Sequence, residues 1–164
     1  MDQDLFEHAR SLLNICRTKK LTIATAESCT GGLLAATLTD VVGSSDVFER
    51  GFVTYSNDAK QAMLGVPPGT LEIYGAVSRE TAHAMATGAL AHAPVDLTVS
   101  VTGIAGPLGA VAGKPVGFVL FAAASRGGQL VHDERKYGDI GRAQVRRASV
   151  EQALAMLREI AEKE

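Results

Sequence analysis

Apolar side chains recur along the chain at helical spacing in some segments and at every second position in others. From Leu5 to Cys16 they fall on one stripe of an amphipathic helix, predicted over residues 4–18. Between Leu97 and Val101 they alternate with threonine and serine, which predicts a strand. The same reasoning predicts further helices at 33–38, 57–64, after the N-cap residue Ser78 and at about 142–162, and further strands at 21–26, 48–55, 116–124 and 130–137.

The order of these elements predicts the fold class. Helices alternate with strands through most of the chain, and Arg126-Gly127-Gly128 joins the last two strands as a hairpin. We therefore expect an α/β fold, a three-layer α/β/α sandwich with a mixed, mainly parallel sheet and a C-terminal β-hairpin and helix. The Pro67-Pro68-Gly69 stretch is expected to be a break after the 57–64 helix.

Composition and charge exclude several classes of protein. The chain has 164 residues, 46% of them hydrophobic and 21% charged, which fits a single globular domain over 1–164. Its net charge is −2, so no bulk attraction draws it to nucleic acid. The longest apolar run, residues 116–124, is far shorter than the roughly 20 residues that span a bilayer, so no membrane partner is expected.

The cysteines and the chain start predict the compartment. Residues 1–8 are acidic where a signal peptide is basic, and no apolar run follows them. Cys16 and Cys29 are too few for a disulfide framework and are not spaced as zinc ligands. We expect a cytoplasmic protein without a metal or other cofactor. The polar strand at 130–137 predicts an exposed sheet edge, which is compatible with a homo-oligomer such as a dimer.

Two glycine-rich turns follow predicted strands, at 27–32 and at 102–107. Ligands of such sheets lie beyond the carboxyl ends of the strands. In the first turn, Ser28 could point into a crevice as a nucleophile, while the amides of Thr30, Gly31 and Gly32 face an anion. The local pattern alone favours a helix N-cap role for this serine. The neighbouring Cys29 is expected to be a small buried residue rather than a thiol nucleophile.

A serine nucleophile needs a base, and the sequence offers few. The four histidines show no metal-ligand spacing, and none lies in a glycine-rich turn. Lys60, at the start of the helix after the second strand, could serve if burial and the helix N-terminus lower its pKa. Spacing alone favours a solvated surface lysine. Tyr55, at the strand end, is either a packing residue or a hydroxyl in the same proton network.

Basic residues near the last helix suggest an anionic ligand. Arg142, Arg146 and Arg147 lie at its start, where positive charge opposes the helix dipole unless an anion is bound nearby. Solvated arginines also tolerate such positions. The Gly103–Pro107 stretch lacks a Walker A ending and the G-x-G-x-x-G pattern, yet it is a plausible backbone cradle for a substrate.

Four segments in order resemble the motif series of the CinA C-terminal domain family, over about residues 5–160. They are Ala26-Glu27-Ser28-Cys29-Thr30-Gly31-Gly32, Tyr55-Ser56-Asn57-Asp58-Ala59-Lys60 with Leu64-Gly65-Val66, Gly75-Ala76-Val77-Ser78, and Val101-Thr102-Gly103-Ile104-Ala105-Gly106-Pro107. This family includes the nicotinamide mononucleotide deamidases.

The resemblance implies hydrolysis of the carboxamide of nicotinamide mononucleotide to nicotinate mononucleotide and ammonia. It implies that Ser28 is the nucleophile, Lys60 is its partner and Tyr55 lies in the same site. It also places the loop residues Thr102, Gly103 and Gly106 at the substrate. On this interpretation the small-molecule nucleotide supplies the anion for the arginines.

Two segments depart from the family pattern. The loop after Pro107 reads Leu108 to Gly113 where the family has more glycine, and the segment at 138–146 is two residues longer. The family motif therefore matches this chain more closely at Arg146 than at Arg142. An alternative function is a non-catalytic, nucleotide-binding regulatory module whose altered loop no longer aligns a substrate. A third is an amidase for a related pyridine or nucleotide amide.

Overall fold

The computed structural model describes residues 2–164. Over these residues the chain forms six α-helices, a short 3-10 helix and five strands. The helices are α1 (Gln3–Lys19), α2 (Leu33–Thr39), α3 (Asn57–Leu64), α4 (Pro68–Tyr74), α5 (Arg79–His92) and α6 (Arg142–Lys163), and the 3-10 helix is Ser44–Asp46. The strands are β1 (Ile23–Glu27), β2 (Phe48–Val53), β3 (Leu97–Gly103), β4 (Phe118–Ser125) and β5 (Leu130–Lys136).

The described strands form one mixed sheet in the order β2-β1-β3-β4-β5. β1 pairs in parallel with β2 and β3, whereas β4 is antiparallel to both β3 and β5. Because β5 reverses β4, four of the five strands run in the same direction. Helices α1, α2 and α6 pack on one face, and α3, α4 and α5 pack on the other. The predicted three-layer fold with its C-terminal hairpin and helix is confirmed.

The three central strands are buried on both faces, which explains their nearly continuous apolar sequences. On one face, Leu12 of α1, Leu154 of α6 and Val99 of β3 belong to one buried apolar cluster. On the other face, α5 approaches α3 closely at a position where it has no side chain. A Cβ at Gly88 of α5 would lie 2.1 Å from the carbonyl oxygen of Leu64, so only glycine fits between α5 and α3.

One segment differs from the sequence prediction. The predicted break after α3 is present at residues 65–67, but it is shorter than expected, because Pro68 is already the first residue of α4. Proline is favoured at the first helical position, where its missing N–H has no intrahelical partner to lose. Among the described residues, no helix is long and apolar enough to cross a membrane.

The parallel strands bring three chain segments to the same edge of the sheet. In the sheet register, Glu27 at the end of β1 lies beside Val53 of β2 and Val101 of β3. The pairing continues one residue further, since the Ser28 amide donates to the Val101 carbonyl (2.9 Å) and the Thr54 amide to the Glu27 carbonyl (2.8 Å). The segments that follow these strands therefore meet, and there the predicted site residues lie.

Candidate active site

A cavity of about 280 Å³ opens at this carboxyl edge. Seven of the predicted site residues line it, namely Ser28, Tyr55, Lys60, Thr102, Gly103, Gly106 and Arg142. Its wall also includes Cys29, Leu108 and Gly109. A larger groove of about 620 Å³ lies at the start of α5, but the Ser78 hydroxyl there is occupied as the helix cap. The smaller cavity thus holds the candidate chemistry.

Ser28 is not a helix cap. The helix that follows begins at Leu33, and its N-cap residue is Gly32. The Ser28 hydroxyl instead lies 3.1 Å from the Lys60 amine. Since its backbone amide is fixed to β3, the serine is held at the end of β1 with its oxygen facing the Lys60 amine. The N-cap interpretation of this residue is therefore wrong.

Glu27 caps α2 in place of the serine. Its fully buried carboxylate accepts hydrogen bonds from the amides of Leu34 (2.9 Å) and Ala35 (3.1 Å). A carboxylate at a helix N-terminus is stabilised by the helix dipole and by these free amides. Sequence reasoning missed this role, because the acid precedes its partners by seven and eight residues and matches no local capping pattern.

The predicted anion-facing amides are placed differently. Thr30, Gly31 and Gly32 do not line the cavity, and the Gly31 amide already donates to the Ser28 carbonyl (3.0 Å). The amide of Cys29 donates to no oxygen within residues 2–164. It directly follows the candidate nucleophile, the position whose amide binds the oxyanion in hydrolases with a nucleophile elbow.

Lys60 is one of the most buried large side chains of the described structure, with 1% of its surface exposed. The interpretation as a solvated surface lysine is therefore wrong. Its helix, α3, starts at a set position because the Ser56 hydroxyl accepts from the Ala59 amide (3.0 Å). Burial lowers the pKa of the Lys60 amine below its ordinary value of 10.5, since removal from water penalises the charged form.

The neighbours of the Lys60 amine suit a neutral base. The amine lies 2.9 Å from the Thr54 carbonyl oxygen, 3.3 Å from the Tyr55 carbonyl oxygen and 3.1 Å from the Ser28 hydroxyl. Carbonyl oxygens only accept hydrogen bonds, so they take both N–H groups of a neutral amine. The lone pair is then left for the Ser28 O–H. Protonation reverses the direction of that single hydrogen bond and leaves the other two in place.

Tyr55 and Arg142 form the rim of the cavity. The Tyr55 side chain is 60% exposed, and its hydroxyl accepts from the Arg142 guanidinium (3.1 Å). Arg142 also donates to the Gly106 carbonyl (2.8 Å), which ties the start of α6 to the glycine loop. Tyr55 thus touches the lysine through its backbone carbonyl, whereas its hydroxyl faces the arginine.

The glycine loop needs its small residues. A Cβ at Gly103 would lie 2.8 Å from the Phe118 carbonyl oxygen, and Gly106 has a φ of +85°. Both positions exclude a side chain without a shift of the backbone. The Thr102 hydroxyl donates to the Ala76 carbonyl (2.8 Å), so it holds the loop against the segment before α5.

The three arginines at the start of α6 diverge. Arg146 donates to the carbonyls of Cys29 and Thr30 and does not line the cavity. Arg147 lies in ion pairs with Asp2 and Glu151. Of the three, Arg142 alone reaches the cavity.

The other reactive groups are poor candidates. Burial raises the pKa of the Cys29 thiol to about 12, so the thiolate is scarce near neutral pH. Within the part of the chain described, no group of three or more histidine, cysteine or carboxylate side chains could hold a metal ion. The serine and the buried lysine are therefore the pair with the geometry for catalysis.

Comparison with known proteins identifies the family of the chain. A sequence model of the CinA C-terminal domain matches residues 6–161. The chain belongs to the CinA C-terminal domain family. Within that family it is 46% identical over 157 residues to the nicotinamide-nucleotide amidohydrolase PncC of Escherichia coli K12, covering 95% of this chain and 94% of that protein.

Other members of the CinA family are longer or have solved structures. The chain spans 38% of a relative from Caldicellulosiruptor bescii to which it is 44% identical over 158 residues, 96% of its own length. It is 53% identical to the crystal structure of the competence/damage inducible protein CihA from Agrobacterium tumefaciens, with a TM-score of 0.93 over 94% of this chain and 93% of that one. The CinA fold is thus shared along nearly the whole length of the chain.

Proposed function

We propose that this chain is a nicotinamide-nucleotide amidase that hydrolyses nicotinamide mononucleotide to nicotinate mononucleotide and ammonia. The observation that supports this most directly is the 3.1 Å contact between the Ser28 hydroxyl and the buried Lys60 amine. The name of the Escherichia coli relative supplies the substrate class, since that protein is matched over 94% of its length.

The first half of the reaction is acylation of the serine. Neutral Lys60 takes the Ser28 proton as the serine oxygen attacks the carboxamide carbon, and the carbonyl electrons move onto oxygen. The Cys29 amide stabilises the oxyanion. The intermediate then collapses, the carbon–nitrogen bond breaks, and the lysine ammonium gives its proton to the departing ammonia.

The second half is hydrolysis of the acyl-enzyme. Lys60, neutral again, takes a proton from water as that water attacks the ester carbon. Collapse of the second intermediate breaks the bond to Ser28, which recovers its proton from the lysine. The Ser28–Lys60 hydrogen bond carries one proton in each half, from the serine to the lysine in the first and from the lysine to the serine in the second. The two carbonyls that hold the amine stay in place throughout.

The cavity suggests how the substrate lies. Its volume suits a pyridine ring with its carboxamide against the serine, with Thr102, Gly103 and Gly106 as the wall. The phosphate then lies outward, toward the rim. Arg142 is the cation at that rim, and the exposed ring of Tyr55 offers a face to the pyridinium. In this arrangement the substrate makes no direct contact with Arg146, Thr30, Gly31 or Gly32.

Location and assembly are also proposals. Cys16 and Cys29 are both free thiols, which supports a reducing compartment such as the cytoplasm. Strands β2 and β5 lie at the two edges of the sheet, and pairing through an edge would give a dimer. Light scattering of the purified protein measures the assembly.

The proposal is tested by following ammonia and nicotinate mononucleotide with the wild type, Ser28→Ala and Cys29→Ala. We expect product from the wild type and from Cys29→Ala, and none from Ser28→Ala. The serine variant should stay folded because it loses one hydrogen bond, worth about 0.5–1.5 kcal/mol, and no helix cap. Turnover by Ser28→Ala above a few per cent of wild type contradicts the assignment. A rise in melting temperature with the nucleotide but no product would instead favour the binding module.

A further inference from the structure

Arg146 joins the start of α6 to the turn that carries the candidate nucleophile. Its Nε atom donates to the Cys29 carbonyl (3.2 Å) and one terminal nitrogen donates to the Thr30 carbonyl (2.9 Å). The side chain is partly buried and does not line the cavity. Within residues 2–164 it has no carboxylate partner, so the turn carbonyls are its hydrogen-bond acceptors.

These two hydrogen bonds constrain the direction of the peptide groups in the turn. In a trans peptide the C=O and the N–H point in opposite directions. Holding the Cys29 and Thr30 carbonyls toward α6 therefore directs the following amides away from it. The second of these, the Gly31 amide, donates to the Ser28 carbonyl (3.0 Å) and closes the turn.

The turn is thus held at both ends. Glu27, directly before the serine, is fixed to the first amides of α2. Arg146 holds the two residues directly after the serine. The Thr30 carbonyl also accepts from the Leu33 amide (3.0 Å), whereas the Thr30 hydroxyl is buried without a hydrogen-bond partner in the described structure.

We propose that Arg146 is a positioning residue that holds the nucleophile turn and does not bind the substrate. Its guanidinium fixes the peptide groups after Ser28. Through these peptide groups it holds the serine oxygen in line with the Lys60 amine. The catalytic part of this inference rests on the proposed amidase function. A lysine at this position could not hold both carbonyls in the same way, because its ammonium is a single point rather than a planar fork.

The test compares Arg146→Ala and Arg146→Lys with Arg147→Ala. Arg147 is a matched control, since it is the next residue of the same helix and its ion pairs lie with Asp2 and Glu151, away from the turn. Peptide-level hydrogen exchange over residues 28–33 reports on the turn without any substrate. We expect faster exchange in Arg146→Ala, a smaller change in Arg146→Lys and none in the control.

Kinetics with nicotinamide mononucleotide then separate positioning from binding. We expect kcat to fall by about 10²-fold in Arg146→Ala while KM stays unchanged, because a misplacement of about 1 Å costs that much. Arg146→Lys should be intermediate, and it also serves if the alanine variant does not fold. A raised KM with unchanged kcat, or unchanged exchange in the turn, would overturn the inference. A wild type that is inactive on this nucleotide contradicts the proposed function, whereas faster exchange in Arg146→Ala still supports the role in the turn.

Discussion

Replacement of Lys60 tests the central claim about the site. Lys60→Met keeps an unbranched side chain of similar length in the buried position but removes the amine that lies 3.1 Å from the Ser28 hydroxyl. A positioned general base contributes about 10²–10⁴-fold to rate, or about 2.7–5.4 kcal/mol of transition-state stabilisation at 1.36 kcal/mol per factor of ten. We expect kcat for nicotinamide mononucleotide to fall by at least that factor.

A second variant separates a base from a simple positive charge. Lys60→Arg keeps a cation, but a guanidinium cannot become neutral in this pH range and so cannot accept the serine proton. We expect it to be as inactive as Lys60→Met at every pH. If Lys60 acted only through its charge, the arginine variant would retain much of the activity.

The pH profile of the wild type supplies the third readout. The base must be neutral, so kcat/KM should rise tenfold per pH unit below the pKa of Lys60 and level off above it. Burial lowers that pKa below 10.5, so the plateau should begin below that value. Product formation is measured by chromatography across this range.

A Lys60→Met variant within tenfold of wild-type kcat would refute the assignment of Lys60 as the base.

Three further predictions concern stability. The pKa of Lys60 is lower in the folded chain, so the unfolded chain binds more protons between that pKa and 10.5. The free energy of unfolding of the wild type, measured by chemical unfolding, should therefore rise with pH across this window relative to that of Lys60→Met. Glu27→Gln should lower the free energy of unfolding by about 1.5–3 kcal/mol, since a charged acceptor of two helix amides is lost. The melting temperature should fall by roughly 2–4 °C for each kcal/mol lost. Gly88→Ala should cost about 1–3 kcal/mol or more because its Cβ meets the Leu64 carbonyl, whereas Gly69→Ala, with nothing within 4 Å, should be neutral or stabilising in the same thermal assay.

The local pattern of the sequence was sufficient for most of the fold. Apolar periodicity is a property of neighbouring residues, so helices such as α1 and α6 and strands such as β3 were predicted close to their observed bounds. The alternation of these elements then implied the layers and the edge at which the turns meet. The α4 helix was missed because the Pro67-Pro68-Gly69 stretch at its start matches a loop by composition, although proline begins a helix well.

Sequence alone could name the residues of the candidate site but could not decide their roles. In isolation, Ser28 matched a helix cap and Lys60 matched a surface lysine, and the family resemblance favoured catalysis without giving a geometry. The tertiary structure excludes the helix-cap and surface-lysine interpretations, because it buries the lysine and brings its amine to the Ser28 hydroxyl, 32 residues away in the chain. Protonation follows desolvation, and desolvation is a property of packing.

The same reason explains the charged residues that sequence reasoning misplaced or missed. Glu27 reaches amides seven and eight residues ahead, and Arg146 reaches carbonyls more than a hundred residues away. A charged side chain shows in the sequence only that it needs a partner of opposite polarity. Which partner it finds depends on how the sheet and helices bring the chain together. The folded structure alone therefore assigns Glu27 to helix α2 and Arg146 to the turn that follows Ser28.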